Sequence, residues 1–190
     1  MLFNSIEFLI YFIVVCCLYY LLSARYRWIL LLVSSYYFYM NWNPIYALLI
    51  FGSTAMTYFT AHVMGRPGTL RARLLMSLNL IFNFGLLIIF KYYDFINSTI
   101  FELLSFLSIR WVLPDLDLLL PVGISFYTFQ AIGYTFDVYR EKVKVQPSFG
   151  KYALFVAFFP QLVAGPIERA SHLLPQFDKR IYWNYSNLVL

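Results

Sequence analysis

Long apolar runs alternate with short polar corners along the chain, and this pattern predicts helices that cross a membrane. A spanning helix needs about 20 apolar residues, and five runs approach that length: residues 3–22, 28–42, 45–64, 74–93 and 118–136. The second run is short and ends at a tight Asn-Trp-Asn-Pro corner, residues 41–44. The pattern therefore predicts an all-α, polytopic integral membrane protein with about five transmembrane helices.

A further apolar run, YALFVAFFPQLVAGPI at residues 152–167, is interrupted by Pro160, Gly165 and Pro166. An apolar stretch of roughly 10–14 residues is too short to cross and is typical of a re-entrant or interfacial element. Non-helical backbone persists at membrane depth only where protein or a water-filled cavity surrounds it. The sequence thus predicts a broken, re-entrant helix that is buried within a larger bundle and ends near a polar cavity.

Composition agrees with a membrane location. The chain is 62% hydrophobic and 12% charged, whereas a soluble domain carries about 25% charged residues. A soluble fold of this length could not hide so much apolar surface, so we expect the lipid bilayer to cover it. The net charge of +5 comes from short basic clusters between apolar runs, which indicates membrane topology and no nucleic-acid partner.

Basic residues mark the cytoplasmic loops of membrane proteins, and their positions give this chain one orientation. With an extracytoplasmic N-terminus, the basic loops 23–27, 65–73 and 137–151 all become cytoplasmic. The stretch 94–116 is acidic and less regular, and it falls outside. Nine of fourteen basic residues lie in these three loops and three more follow the broken segment, which begins on the cytoplasmic side; only Lys91 and Arg110 lie elsewhere.

Polar residues inside the fifth run form a stripe. At about 100° per residue, five of them share one face of a helix: Gly123, Tyr127, Gln130, Tyr134 and Asp137. Such a stripe will not face lipid, so we expect it to face a partner helix or a lumen. For any single residue of the stripe, interhelical hydrogen bonding and close packing without chemistry is an equal alternative, but it is a weaker explanation of the stripe as a whole. Similarly, Glu168 and Arg169 are either a plain ion pair at a helix start or part of a cavity mouth.

Other candidate chemistry is weak. His62 and His172 have no Ser or Cys nucleophile at a recognisable spacing, so we interpret both as structural or interfacial residues. The chain has no CxxC, HExxH or glycine-rich phosphate loop, and we expect no metal site. Cys16 and Cys17 are neighbours within the first run, where they predict buried thiols and no disulfide.

Two long motifs, LPVGISFYTFQAIGYTFDVYR at 120–140 and FFPQLVAGPIERASHLLPQF at 158–177, resemble the membrane-bound O-acyltransferase family. The alginate O-acetylase branch, which also includes the teichoic-acid D-alanylation enzymes, is the most similar. The opening MLFNSIEFLIYFIVV and the corner YYFYMNWNPIYALLI resemble it too. The resemblance implies that residues 1–190 are the N-terminal part of one helical ring with re-entrant helices, in the bacterial inner membrane.

The activity implied by the resemblance is acyl transfer, with acetyl as the expected group, to a hydroxyl of an extracytoplasmic polysaccharide such as alginate, or to an acyl-shuttle partner protein. The expected donor is a cytoplasmic acyl thioester, either acetyl-CoA or an acyl-carrier protein, and no cofactor is expected to stay bound. The family's catalytic histidine lies in a later apolar segment, so we expect it beyond Leu190. This fragment is then inactive alone.

The residues expected to line or shape the reaction chamber are Gly123, Tyr127, Gln130, Tyr134, Gln161, Gly165, Pro166, Glu168 and Arg169. Two other functions stay open at this point. Broken helices and an intramembrane polar stripe also suit a transporter or flippase core. A truncated, non-catalytic membrane scaffold is the third possibility.

Overall fold

The computed structural model describes residues 4–106, 120–162 and 165–179. Within these ranges the chain is all-helical and has no strand, as the apolar runs predicted. The longer helices are α1 (Ile6–Leu21), α2 (Arg27–Met40), α3 (Pro44–Val63), α4 (Leu70–Leu87), α5 (Tyr93–Phe106), α6 (Ile124–Tyr139) and α7 (Phe149–Ala157). Four short elements complete the fold: a π-helical turn (Ile88–Tyr92), α8 (Phe159–Leu162), α9 (Ala170–Leu173) and a 3₁₀ helix (Leu174–Asp178).

Several helices begin where polar side chains cap them. The Ser5 hydroxyl accepts a hydrogen bond from the Phe8 amide at 3.2 Å and so starts α1. The Asn43 side chain accepts from the Ile45 amide at 3.0 Å, and Pro44 occupies the first position of α3. The predicted Asn-Pro corner therefore ends one helix and starts the next.

Two helices in the described part of the chain are long and apolar enough to cross a membrane. They are Pro44–Val63, with 20 residues, and the continuous helix Leu70–Phe106, with 37 residues, which comprises α4, the π-helical turn and α5. The helices α1, α2 and α6 have 16, 14 and 16 residues, fewer than the ~20 that a perpendicular span needs. The expected count of five spans is therefore not confirmed.

The fourth apolar run differs from its prediction. A span over residues 74–93 and a less regular stretch over 94–116 were expected, but the helix begins at Leu70 and continues to Phe106. Four of its polar residues, Asp94, Ser98, Glu102 and Ser105, recur every three or four positions and share one helical face, and Asn97 and Thr99 beside them do not interrupt the helix. Residues 107–116 of the expected irregular stretch lie outside the described residues.

The fifth apolar run also forms a shorter and shifted helix. A helix was expected over residues 118–136, but α6 covers Ile124–Tyr139, and positions 118 and 119 lie outside the described residues. Gly123 precedes the helix with φ of 74°, a left-handed conformation that glycine adopts without steric cost. Gly123 is therefore the N-cap of α6 and is not part of the helical face to which the stripe assigned it.

The core of the bundle forms where α3, α6 and α7 meet. Polar contacts between helices add to this packing: Tyr152 Oη donates to Thr57 Oγ1 at 2.7 Å, and Ser53 Oγ donates to Asn83 Oδ1. These polar residues on α3 and α4 thus hold helices together, as membrane helices commonly do.

The prediction of buried thiols is wrong for Cys17, which is exposed on the surface of α1, while Cys16 is half-buried. The helix α1 packs mainly on α2, so most of its apolar surface is left uncovered by the described residues. Both cysteines are free, as their adjacent positions predicted.

Candidate functional site

Residues 149–178, which we term the hairpin segment, run into the helix bundle alongside α6. Near its start, the Tyr152 ring lies 4.4 Å from the Tyr134 ring of α6, measured between centroids. At the end of α8, the Leu162 carbonyl approaches Gly123 so closely that a Cβ atom on Gly123 would lie 2.7 Å from it. The part of the segment from Tyr152 to Leu162 therefore runs antiparallel to α6.

The hairpin segment then returns to the end of the bundle from which it started. Lys151, in the first turn of α7, forms an ion pair with Asp178 at the end of the 3₁₀ helix. The Phe158 and Phe177 rings make an edge contact with centroids 5.6 Å apart. Within its described residues, 149–162 and 165–178, the segment is broken as the sequence predicted, and its two ends lie at the same end of the bundle. A re-entrant position in a membrane stays a prediction.

Two buried amides join the hairpin segment to α6. Gln130 Nε2 donates to the Phe155 carbonyl at 2.7 Å, and Gln161 Nε2 lies 3.2 Å from Gln130 Oε1. Gln161 Nε2 also donates to the Pro166 carbonyl at 2.9 Å, on the far side of the break. Gln130 and Gln161 are only 4% and 7% exposed, so an unpaired amide here would cost about 1–3 kcal/mol.

The backbone breaks in the hairpin segment have specific partners. Between α7 and α8, the Phe159 amide donates to Ser35 Oγ of α2 at 3.3 Å. After α8, the Gly165 amide donates to the Gln161 carbonyl at 2.9 Å, and a Cβ on Gly165 would lie 2.7 Å from Gln161 Cα. The Gly-Pro sequence thus allows a turn that a larger residue could not form.

A cavity of about 400 Å³ opens between α6 and the returning part of the hairpin segment. Its polar lining comes from Gln130, Tyr134, Asp137, Arg140, Lys142, Glu168 and Arg169. Three cationic and two acidic side chains therefore surround one space, with the Gln130 amide held in place by its bonds to the hairpin segment. The structure brings the polar stripe of α6 together with the charged pair that follows the Gly-Pro break.

The remaining predicted residues do not line the cavity. Some form the turn next to it, and the others lie elsewhere in the bundle. Gln161, Gly165 and Pro166 form the turn behind the cavity wall, and Gly123 contacts the tip of α8. Tyr127 is fully buried in the core shared by α3, α6 and α7. The nine predicted residues are thus divided between the cavity, its supporting turn and the core.

Arg140 and Lys142 were assigned by sequence to membrane topology alone, and their place in the cavity lining was missed. Both follow the end of α6, where a Schellman motif closes the helix: the Lys142 amide donates to the Asp137 carbonyl, and the Glu141 amide to the Val138 carbonyl. Glu141 takes the left-handed position with φ of 57°, where glycine is usual. The sequence did not predict this turn, because the glycine that usually occupies the left-handed position is absent.

Both histidines have structural partners. His62 stacks on the Tyr58 ring at 4.1 Å and approaches the Tyr58 carbonyl. His172 Nδ1 lies 2.9 Å from a Glu168 carboxylate oxygen, so the pair sits at the edge of the cavity. Within the part of the chain that the structure describes, His, Cys, Asp and Glu form no group of three that could hold a metal ion.

Comparison with known proteins gives matches over nearly the whole chain. It is 38% identical over 186 residues to the probable alginate O-acetylase AlgI of Pseudomonas aeruginosa, covering 96% of this chain and 35% of that protein. It is 37% identical over 187 residues to the peptidoglycan O-acetyltransferase of Helicobacter pylori, covering 83% of this chain and 34% of that protein. The chain therefore spans about a third of the length of these relatives. No family model and no solved structure matches it.

Proposed function

We propose, on the premise that the chain belongs to the alginate O-acetylase branch of the membrane-bound O-acyltransferases, that its full-length protein O-acetylates an extracytoplasmic polysaccharide. The names of the relatives, alginate O-acetylase and peptidoglycan O-acetyltransferase, share the acetyl group and the hydroxyl acceptor and differ in the glycan. The proposed reaction is therefore transfer of an acetyl group to a hydroxyl. The proposed acceptor is a cell-surface glycan such as alginate, reached directly or through an acyl-shuttle partner protein.

The proposed location is the bacterial inner membrane, with several spans and an extracytoplasmic N-terminus. Large apolar side chains are exposed on the outer faces of α1, α3 and α4, for example Leu9, Leu48 and Ile81. An apolar surface this extensive is unfavourable in water and is normal against lipid. In this topology loops 23–27, 65–73 and 137–151 are cytoplasmic, and the short helices α1, α2 and α6 complete the spans where the bilayer is locally thinned.

The cavity beside α6 is the single observation that supports a chamber role. It opens next to Arg140 and Lys142, which follow the cytoplasmic end of α6 in the proposed topology, and Arg169 lies on its other wall. Cations at this mouth suit the approach of a cytoplasmic acyl thioester, acetyl-CoA or an acyl-carrier protein, whose carrier arm bears phosphate.

In this proposal the described residues position the reactants and exclude water, while the base that activates the acceptor hydroxyl comes from another part of the protein. Gln130 orients the chamber wall because its amide is fixed by Phe155 and Gln161. A fixed amide in a water-poor site can hold a reacting group without reorganising, which lowers the barrier to transfer. Gln130 and Arg169 are thus positioning residues.

The test is acetylation by the full-length protein with Gln130→Leu or Arg169→Ala. We expect Gln130→Leu to lower kcat because the wall loses its fixed amide, and Arg169→Ala to raise the KM for the thioester donor. Gln176→Leu and Arg66→Ala are matched controls, because neither residue lines the cavity. Normal kinetics in both cavity variants would show that these residues do not position the reactants.

A further inference from the structure

The long helix leaves the bundle at the π-helical turn. Lys91 Nζ donates to Ser125 Oγ at 3.1 Å, and the Phe90 ring lies 6.3 Å from the Tyr46 ring. Ser125 belongs to the first turn of α6 and Tyr46 to the first turn of α3, so both contacts mark the same end of the bundle. The helix α5 begins where the bundle ends. Among the described elements it packs mainly on the π-helical turn itself, and Asn97 is its one buried residue there.

The helix α5 is amphipathic. At about 100° per residue, both acidic residues and two serines fall within about 80° of one another: Asp94, Ser98, Glu102 and Ser105. Asn97 and Thr99 lie about 60° to either side of this stripe. Phe95, Leu103 and Phe106, which are 69%, 63% and 90% exposed, lie within about 80° of one another on the adjoining side of the helix, while Phe101, 55% exposed, lies beside the polar stripe. Three large apolar side chains this exposed on one face are unfavourable in water.

The exposed apolar residues of α5 continue a row that begins on α4. Leu74, Leu78, Ile81 and Ile88 are exposed at helical spacing, and the row extends past the π-helical turn to Phe95. On α4 this row faces lipid in the proposed topology. Because the row is unbroken, we expect the same lipid phase to contact the apolar face of α5.

Length separates the two parts of the helix. The 37 residues rise about 55 Å at 1.5 Å per residue, whereas the hydrocarbon core is about 30 Å thick. Arg71 and Arg73 mark the cytoplasmic start, so the core is crossed by about residue 91, where Lys91, Tyr92 and Tyr93 form a typical interfacial cluster. The remaining residues, α5, must then lie beyond the hydrocarbon core.

We propose that α5 lies along the extracytoplasmic membrane surface with its apolar face in the lipid interface, and that the π-helical turn is the bend between span and surface helix. This proposal rests on the membrane topology given above. π-Helical turns are a recognised cause of helix bending, and an interfacial helix buries its apolar face about 5–10 Å into the headgroup region. The polar face carries Asp94 and Glu102 and no basic residue, so apolar burial, and not attraction to anionic lipid, holds the helix there.

Spin-label accessibility in the full-length protein, reconstituted into phosphatidylcholine vesicles, tests the proposal. Single nitroxide labels are placed at Leu103→Cys and Phe106→Cys in a version without other cysteines. Ser98→Cys is the matched polar-face control, and Ile81→Cys reports on α4. We expect the ratio of collisions with oxygen to collisions with a water-soluble nickel chelate to be several-fold higher at positions 103 and 106 than at position 98.

Each other outcome overturns the proposal in a distinct way. If labels at 103 and 106 meet the nickel chelate as freely as the label at 98, α5 projects into water. If they meet neither reagent, protein covers the face, either another part of this protein or a partner. If the label at 81 also meets the nickel chelate, the membrane topology itself fails and the surface helix fails with it.

Discussion

The hairpin segment and α5 are the two parts of the chain for which the sequence predicts irregular structure. The structure shows that only the hairpin segment is irregular. The hairpin segment interrupts its helix repeatedly and is buried, with every residue from Tyr152 to Ala157 inside the core. The helix α5 is unbroken from Tyr93 to Phe106 and leaves its apolar face exposed.

The difference shows that irregular backbone depends on nearby partners, whereas a regular helix does not. An unbroken helix satisfies its own amides and carbonyls, so α5 can extend beyond the bundle without help. The breaks in the hairpin segment free backbone groups, and Ser35, Gln130 and Gln161 bind groups at or beside them. Irregular segments at membrane depth therefore need a packed polar environment to persist.

The largest effect in this comparison is expected from Gly123→Ala, at the contact between α6 and the tip of the hairpin segment. Its left-handed backbone costs a residue with a Cβ about 1–2 kcal/mol, and the new Cβ would lie 2.7 Å from the Leu162 carbonyl. We expect a lower unfolding temperature for the full-length protein in detergent and a reduced folded yield. Gly85→Ala, in the last turn of α4 within the continuous long helix, is the control: its Cβ would meet nothing within 4 Å, and the change should be neutral or stabilising. Equal unfolding temperatures for the two variants would refute the close contact.

The next largest effect on stability is expected from truncating one leucine in the hairpin segment, with a leucine of α5 as the comparison. Leu154 is 0% exposed in α7 and Leu103 is 63% exposed in α5. Leu154→Ala should cost about 2 kcal/mol, since a buried cavity loses packing contacts even where lipid is the alternative. Leu103→Ala should change stability by less than about 0.5 kcal/mol because the side chain packs little on the protein. Thermal unfolding of the two variants side by side measures the difference, and a cost at Leu103 as large as that at Leu154 would mean that α5 is packed against protein.

The smallest effect is expected at the base of the hairpin segment. Lys151 and Asp178 form an ion pair with 24% and 55% of their side chains exposed, and such pairs contribute about 0–1 kcal/mol. Asp178→Asn should therefore lower the unfolding temperature slightly at low salt, and this difference should disappear at high salt because the pair is screened. A salt-independent loss would indicate that Asp178 has a role in packing the 3₁₀ helix.

Much of the fold follows from local sequence. Apolar periodicity predicted the helices, and the Asn-Pro corner predicted the boundary between α2 and α3. The prolines and the Gly-Pro pair predicted a broken segment, and the structure shows the break between α7 and α8. These features depend on neighbouring residues, so a single sequence contains them.

The sequence predictions were wrong where one local pattern was compatible with two different backbone structures. The polar residues from Asp94 onward suggested irregular structure, although Asp94, Ser98, Glu102 and Ser105 have a spacing that equally suits one face of a helix. Gly123 was placed on a helical stripe, but its φ of 74° makes it the N-cap. Glu141 closes α6 in a conformation that favours glycine, and no residue pattern indicates that exception.

The sequence by itself determined the apolar character, the helices, the broken segment and the family resemblance, because these depend on composition and on spacing along the chain. Only the tertiary structure decided that Gln130 pairs with Gln161, that Arg140 and Arg169 share one cavity, and that α5 extends beyond the bundle. The first two of these involve residues that lie up to 31 positions apart. The third depends on where other helices end. Such contacts are set by packing between helices, which no single stretch of sequence encodes.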